Sequence, residues 1–326
     1  MPASPHARGC VLDECRAGAT AGGASYHGPM RPAEPLRAAA AVWDIAVPSR
    51  PGRMPGVRMA GFSERAKDLV DLPVVPYPAV TLVIDLGHEP LLVEHASGQP
   101  RRGSLAAGLA PGAVRARGRD IECLQVRLSP VVAHAVLGAC SELGGTVAAL
   151  DDLWGRDAAR TEEQLRAAGS WDDRFAIAQA ALAQRFEAGR AASPEVAFAW
   201  EQMVTSRGQI RIGQLAAKTG WSRKRLWSRF RSQLGLTPKR AAQLIRFDHA
   251  AHRLAAGHSA ALVAAETGYA DQSHLHRDVV AFTGATPRAV AVAPWLAVDP
   301  IAWAATNTHP AHNSNQPTPR HRHPPR

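Results

Sequence analysis

Apolar and polar positions change rhythm partway along the chain. Between about residues 42 and 130 the apolar residues fall in short β-branched runs bounded by Gly and Pro: AVTLVIDL (Ala79 to Leu86), Leu91 to Glu94, and IECLQVRL (Ile121 to Leu128). Runs of that length and composition predict strands. From Pro130 the spacing lengthens to three and four, which predicts helices over Val131 to Leu137, Thr146 to Trp154 and Trp171 to Glu187. The last of these carries Phe175, Ala178, Leu182 and Phe186 on one stripe. The segment EAGRAASP (Glu187 to Pro194) has little to bury and reads as a linker, and the chain beyond it is helical in pattern to about residue 292.

These rhythms predict an α+β protein. A β-then-α domain occupies residues 42–190. An all-α domain follows over 191–292. Residues 1–41 are Ala, Gly and Pro with little periodicity and are expected to be disordered, as is the Pro-, His- and Asn-rich end of the 293–326 tail after about residue 307. Neither end is expected to carry function, and Met30 is a candidate alternative start.

A repeat inside the helical half supplies the function. AAKTGWSRKRLWSRFRSQLGLTPKR (Ala216 to Arg240) aligns with AAETGYADQSHLHRDVVAFTGATPR (Ala264 to Arg288) when one residue is inserted after the aromatic of the second copy. Gly220 then matches Gly268, Trp221 matches Tyr269, Leu226 matches Leu275, Phe230 matches Val279, Gly235 matches Gly284, and Thr237-Pro238 matches Thr286-Pro287. Each copy reads as a short Ala-rich helix stopped by a glycine that can take a left-handed turn. A second helix follows, capped by Ser222 or Asp271. In the first copy Leu226, Phe230 and Leu234 share one face, while Lys224, Trp227, Ser228 and Arg231 share another. A helix with one apolar stripe and one basic, hydrogen-bonding stripe suits a major groove. The second copy presents Gln272, Ser273, His276 and Arg277 in the same way, and Pro238 to Ala256 forms a connecting helix between the two units. One such pattern arises often by chance in Ala-rich helices; two aligned copies do not.

The second copy, GYADQSHLHRDVVAFTGATP (Gly268 to Pro287), preceded by the first, resembles the AraC/XylS family of transcription regulators. The resemblance covers about 100 C-terminal residues, and by analogy with the variable sensing domains of such regulators it implies that residues 42–190 form a small β-barrel or sheet domain with helices that senses a ligand or dimerises. It implies a seven-helix domain that contacts DNA through Lys224, Trp227 and Ser228 in one recognition helix and through Gln272, Ser273, His276 and Arg277 in the other. Arg225, Arg231, Lys239 and Arg240 complete the expected DNA-contacting set. Where the family often has an aromatic and basic residues after the arginine, this chain has Asp278, Val279 and Val280, which implies a weaker phosphate grip there.

Charge supports the same reading because it is local. The chain carries +10 overall, but twelve Lys or Arg residues against the single acid Asp248 fall between Arg207 and Arg253. The expected partner is double-stranded promoter DNA, with RNA polymerase, a small-molecule effector and a second copy of the chain as further candidates, and with the sign of regulation open between activator and repressor. No cofactor and no membrane association is expected, and the expected compartment is the cytoplasm. Cys10, Cys15, Cys123 and Cys140 form no metal or redox motif, and His88, His95 and His134 lack the paired spacing of a metal site. The alternative is an enzyme, an alkyl-transfer repair protein or an amidase-like sensor, with an appended DNA-binding domain. Such chemistry needs an activated cysteine beside His, and no such motif surrounds Cys123 or Cys140. The chain is therefore expected not to be an enzyme.

Overall fold

The computed structural model describes residues 42–303, except 51, 66–68, 96–98, 111 and 139. The two ends for which disorder is expected lie outside the described residues.

Among the described residues, ten strands form two antiparallel sheets. The larger contains β1 (Trp43–Ala46), β2 (Val57–Glu64), β9 (Glu122–Leu128), β4 (Val80–Asp85), β7 (Leu105–Ala107) and β10 (Val147–Ala149), in that spatial order. The smaller contains β3 (Val70–Val74), β8 (Val114–Gly118), β5 (Leu92–His95) and β6 (Arg101–Arg102). The two remain separate sheets and do not close into one barrel. Pro73 is accommodated because β3 is an edge strand, where a missing N–H costs least.

Strand alternation divides the core. In β9, Leu124, Val126 and Leu128 turn to the helices, whereas Cys123, Gln125 and Arg127 turn to the space between the sheets. The helical side comprises α1 (Pro130–Leu137), α2 (Cys140–Leu143), α3 (Leu150–Trp154), α4 (Arg156–Ala167) and α5 (Trp171–Ala188). The expected helix over 146–154 begins instead as strand β10, because Val147–Ala149 pair with Leu105–Ala107 and pairing outweighs local propensity. Helix α5 ends near the expected linker, and Ser193 starts the next helix with its backbone N–H on the Gln233 side-chain oxygen at 2.9 Å.

Seven helices follow: α6 (Pro194–Thr205), α7 (Ile212–Lys218), α8 (Arg223–Leu234), α9 (Pro238–Ala255), α10 (Ala260–Thr267), α11 (Gln272–Thr283) and α12 (Pro287–Ala291). Their apolar faces join the core of the larger sheet without a break: Leu128, Val136 and Leu182 belong to the same buried cluster as Phe230, Phe247 and Phe282. Helix α8 packs on α1 and α2, where a Cβ on Gly144 would stand 2.2 Å from the Gly235 carbonyl oxygen, so glycine permits this close approach.

The segment read as the start of a tail folds into a further helix, α13 (Pro294–Ala302). Leu296 joins the helical core, while Val298, Ala302 and Trp303 enter the second core, between the sheets, with Phe62, Leu105 and Cys123.

Candidate nucleic-acid interface

The repeat is reproduced in local geometry, feature by feature. Gly220 and Gly268 both take positive φ, at 67° and 79°, which makes the turn between α7 and α8 and between α10 and α11. Ser222 accepts from the Arg225 backbone N–H at 3.2 Å and Asp271 from that of His274 at 2.7 Å, so each reading helix has its side-chain cap. Thr237 and Thr286 cap α9 and α12 in turn, each followed by proline at the first helical position. Leu226, Phe230 and Leu234 are buried in α8, and Leu275, Val279 and Phe282 in α11.

With those stripes turned inward, the polar faces are left to solvent. Lys224, Arg225, Trp227, Ser228 and Arg231 are exposed on α8, Lys239 on α9, and Gln272, Ser273, His276 and Arg277 on α11. Trp227 keeps 46% of its surface in contact with solvent, with the Arg231 guanidinium 5.3 Å from its ring centre. Arg225 lies 4.7 Å from the Trp221 ring. Arg240 differs from the rest: it is half-buried, 3.7 Å over the Phe282 ring, and directs an N–H toward the Ala281 carbonyl at 3.5 Å. It braces α9 against α11, and burial holds its guanidinium below its ordinary range. Asp278 is buried beneath α11 and so does not face a DNA backbone. His274 packs edge-on against Tyr269, ring centres 5.2 Å apart. Helix α9, with 18 residues, sets the reading helices on one rigid rod of about 27 Å.

A second site, absent from the sequence reading, lies where α13 meets the sheets. Arg127 of β9 is sandwiched between the rings of Tyr77 and Trp303, 3.5 and 4.1 Å from their centres. Its guanidinium donates to Asp299 at 2.9 Å, and Tyr77 donates to the same carboxylate at 3.1 Å. The other Asp299 oxygen accepts from His252 Nε2 at 2.9 Å, while His252 Nδ1 donates to the Asp248 carbonyl at 2.8 Å. Two donors from one imidazole require its protonated form. Asp299 and Arg127 are almost wholly buried. Burial opposes ionisation of Asp299, but the His252 and Arg127 partners outweigh it and hold the carboxyl below its usual range. A tail segment gave no sequence signal for this cluster; the acid Asp299 within an apolar run (WLAVDPIAW) was the one available hint.

Burial alone would lower the His252 imidazole, but its hydrogen bond to Asp299 and the charges of Asp248 and Asp299 override that and hold it at about 9. The cations Arg127 and Arg58 and the Tyr77 hydroxyl face the same carboxylates from the sheet side, and His249 and Arg253 flank His252 along α9. A histidine pKa raised on folding stabilises fully below about pH 6.5 and loses that contribution as pH rises through about 9. The melting temperature should therefore fall between pH 6.5 and 9.5, and His252→Gln should flatten that part of the profile. An identical slope in the variant would place the titration elsewhere.

Beside this cluster, between the sheets, is a cavity of about 170 Å³ whose walls include Trp43, Phe62, Val83, Cys123, Arg127 and Trp303. Cys123 is 3% exposed and burial pushes its thiol up to about 12, the reverse of an activated nucleophile. Among the described residues no helix is long and apolar enough to cross a membrane.

A family model coincides with the repeat. Residues 215–291 match the family model described as "Helix-turn-helix domain", in its AraC-type form. No curated protein matches the chain. Among solved structures, ToxT from Vibrio cholerae O395 aligns at 9% identity over 74% of this chain and 99% of its own, with a TM-score of 0.41. ToxT from Vibrio cholerae strain SCE256 with an unsaturated fatty acid bound gives 9%, 75%, 98% and 0.42. The AraC-like transcriptional activator CuxR aligns at 15% identity over 62% of this chain and 85% of its own, with a TM-score of 0.24.

Proposed function

We propose, from the match of residues 215–291 to a helix-turn-helix domain model, that this chain is a transcription regulator of the AraC type that reads two adjacent major-groove segments with α8 and α11. The observation that carries the reading is the pair of capped helices, each with its apolar stripe buried and its polar stripe exposed, on one connecting rod. Lys224, Trp227, Ser228 and Arg231 read or grip the first segment; Gln272, Ser273, His276 and Arg277 read the second. Arg225 and Lys239 neutralise phosphates, and Arg240 serves the domain mainly by holding α11 to α9. The sheet domain over 42–190 modulates binding, through a small apolar molecule in the cavity between its sheets.

The two units are unequal. The α8 face is strongly basic, whereas α11 offers Arg277 as its one fixed cation. The first unit therefore supplies most of the charge-driven affinity, and the second engages more conditionally. With roughly six phosphate contacts, affinity should fall about 1,000-fold between 50 and 200 mM salt. Lys224→Ala or Gln272→Ala should cost about 1–3 kcal/mol on the preferred duplex and relax preference at the base each one reads, whereas Lys239→Ala should weaken all duplexes alike. Fluorescence-anisotropy titrations on preferred and scrambled duplexes separate these effects. Equal losses on both for Lys224→Ala and Gln272→Ala would remove them as readers.

A further inference from the structure

Every described residue lining the cavity between the sheets comes from residues 43–127 except three, Val298, Asp299 and Trp303, which α13 and its end supply from beyond the second reading helix. The DNA-binding half thus completes the wall of a cavity in the sheet domain. Trp303 leans on Phe62, ring centres 6.4 Å apart, and its carbonyl accepts from Arg58 at 3.5 Å. The seat is imperfect, because the Trp303 indole N–H and the Arg127 Nε–H are buried without an acceptor, and unmet donors oppose closure. What holds Trp303 in place is Asp299, four residues earlier on the same helix and clasped by Arg127, Tyr77 and His252. These partners stand on three separate pieces of the fold: β9, the loop before β4, and α9, the rod between the reading helices.

We infer that α13 is a door to this cavity, shut by the Asp299 clasp, and that its opening is transmitted to the second DNA-reading unit. The path is short. Helix α13 follows α12 directly, α12 packs on α11 and α9, and Gly284, the cap of α11, lies against Ala113 of the sheet domain. When the clasp releases, Trp303 leaves the cavity, a small apolar molecule gains access, and α11 loses the anchor that fixes it relative to the sheets. The inference deepens the proposed modulation of DNA binding through this cavity and rests on that reading.

Cys123 is a built-in reporter, since it lines the cavity and is 3% exposed. The full-length chain is treated with N-ethylmaleimide at a fixed pH, and labelling of Cys123 is followed by peptide mass spectrometry in the wild type, Asp299→Asn and, should that variant fold poorly, His252→Gln. Amide hydrogen exchange is measured on the same samples. The expected result is Cys123 labelling at least about tenfold faster in Asp299→Asn, with faster exchange in α13 and α11 and unchanged exchange in β9 and α8. Unchanged labelling in a folded variant overturns the door. Faster labelling with α11 unchanged overturns the transmission, and faster exchange throughout both sheets shows general loosening and overturns both. Failure of the wild type to bind duplex DNA would remove the regulator reading yet leave the labelling result standing.

Discussion

Phe230→Ala should destabilise the fold by about 3–5 kcal/mol and abolish DNA binding through the first unit. Phe230 has no solvent exposure and sits between Leu226 and Leu234 on the inward stripe of α8, in the core that runs on into the sheet domain. Truncation removes the transfer energy of the ring and leaves a cavity that surrounding helices cannot collapse into, because α8 is pinned at its end by the close approach of Gly144 to Gly235. Trp227→Ala, three residues earlier on the exposed face, is the matching control. It should cost less than about 1 kcal/mol of stability while still reducing DNA affinity. Urea melts of the two variants check the contrast. Comparable stability losses would mean that Trp227 is part of the core and that the helix faces have been assigned wrongly.

Arg127→Met should be comparably costly, at about 3–5 kcal/mol, because it breaks a buried ion pair on one side only. Asp299 is 5% exposed and would keep just His252 and Tyr77 as partners, and the Tyr77 and Trp303 rings would lose the cation between them. The carboxylate then keeps the His252 imidazolium as its one charge partner, so the double variant Arg127→Met/Asp299→Leu, which also takes the acceptor from His252, should recover only part of the loss. A double-mutant cycle by thermal or urea denaturation reads the coupling. Additive losses in the double variant would show that the two side chains act independently.

The parts of the fold that were legible in sequence are those where local rules and tertiary packing agree. The repeat announced itself through Gly220 and Gly268, Ser222 and Asp271, and the two Thr-Pro starts, each a residue whose own backbone chemistry dictates the turn or cap it makes. Strand β4 was legible as a β-branched run, and β9 through Leu124, Val126 and Leu128 alternating with Cys123, Gln125 and Arg127. Strands β2 and β8 were not, since VRMAGFSE and VRARG carry charges and glycine. Gly61 is in β2 because the Trp171 ring lies where a Cβ would be, a reason visible only in three dimensions. Helix α13 escaped for a similar cause: its value lies in the sheet-domain partners of Asp299, namely Arg127 and Tyr77, 172 and 222 residues away, and a short Pro-containing apolar segment near a Pro-rich end has no periodicity long enough to announce them.

The most direct test of two reading helices on one rod is selection of bound sequences from a random duplex pool by the full-length chain. A single chain carrying α8 and α11 should enrich a non-palindromic site of two short blocks, centred about 10–10.5 base pairs apart on one face of the duplex. Lys224→Ala should degrade one block and Gln272→Ala the other. A single enriched block insensitive to one of the two substitutions, or binding with no sequence preference at all, would contradict it.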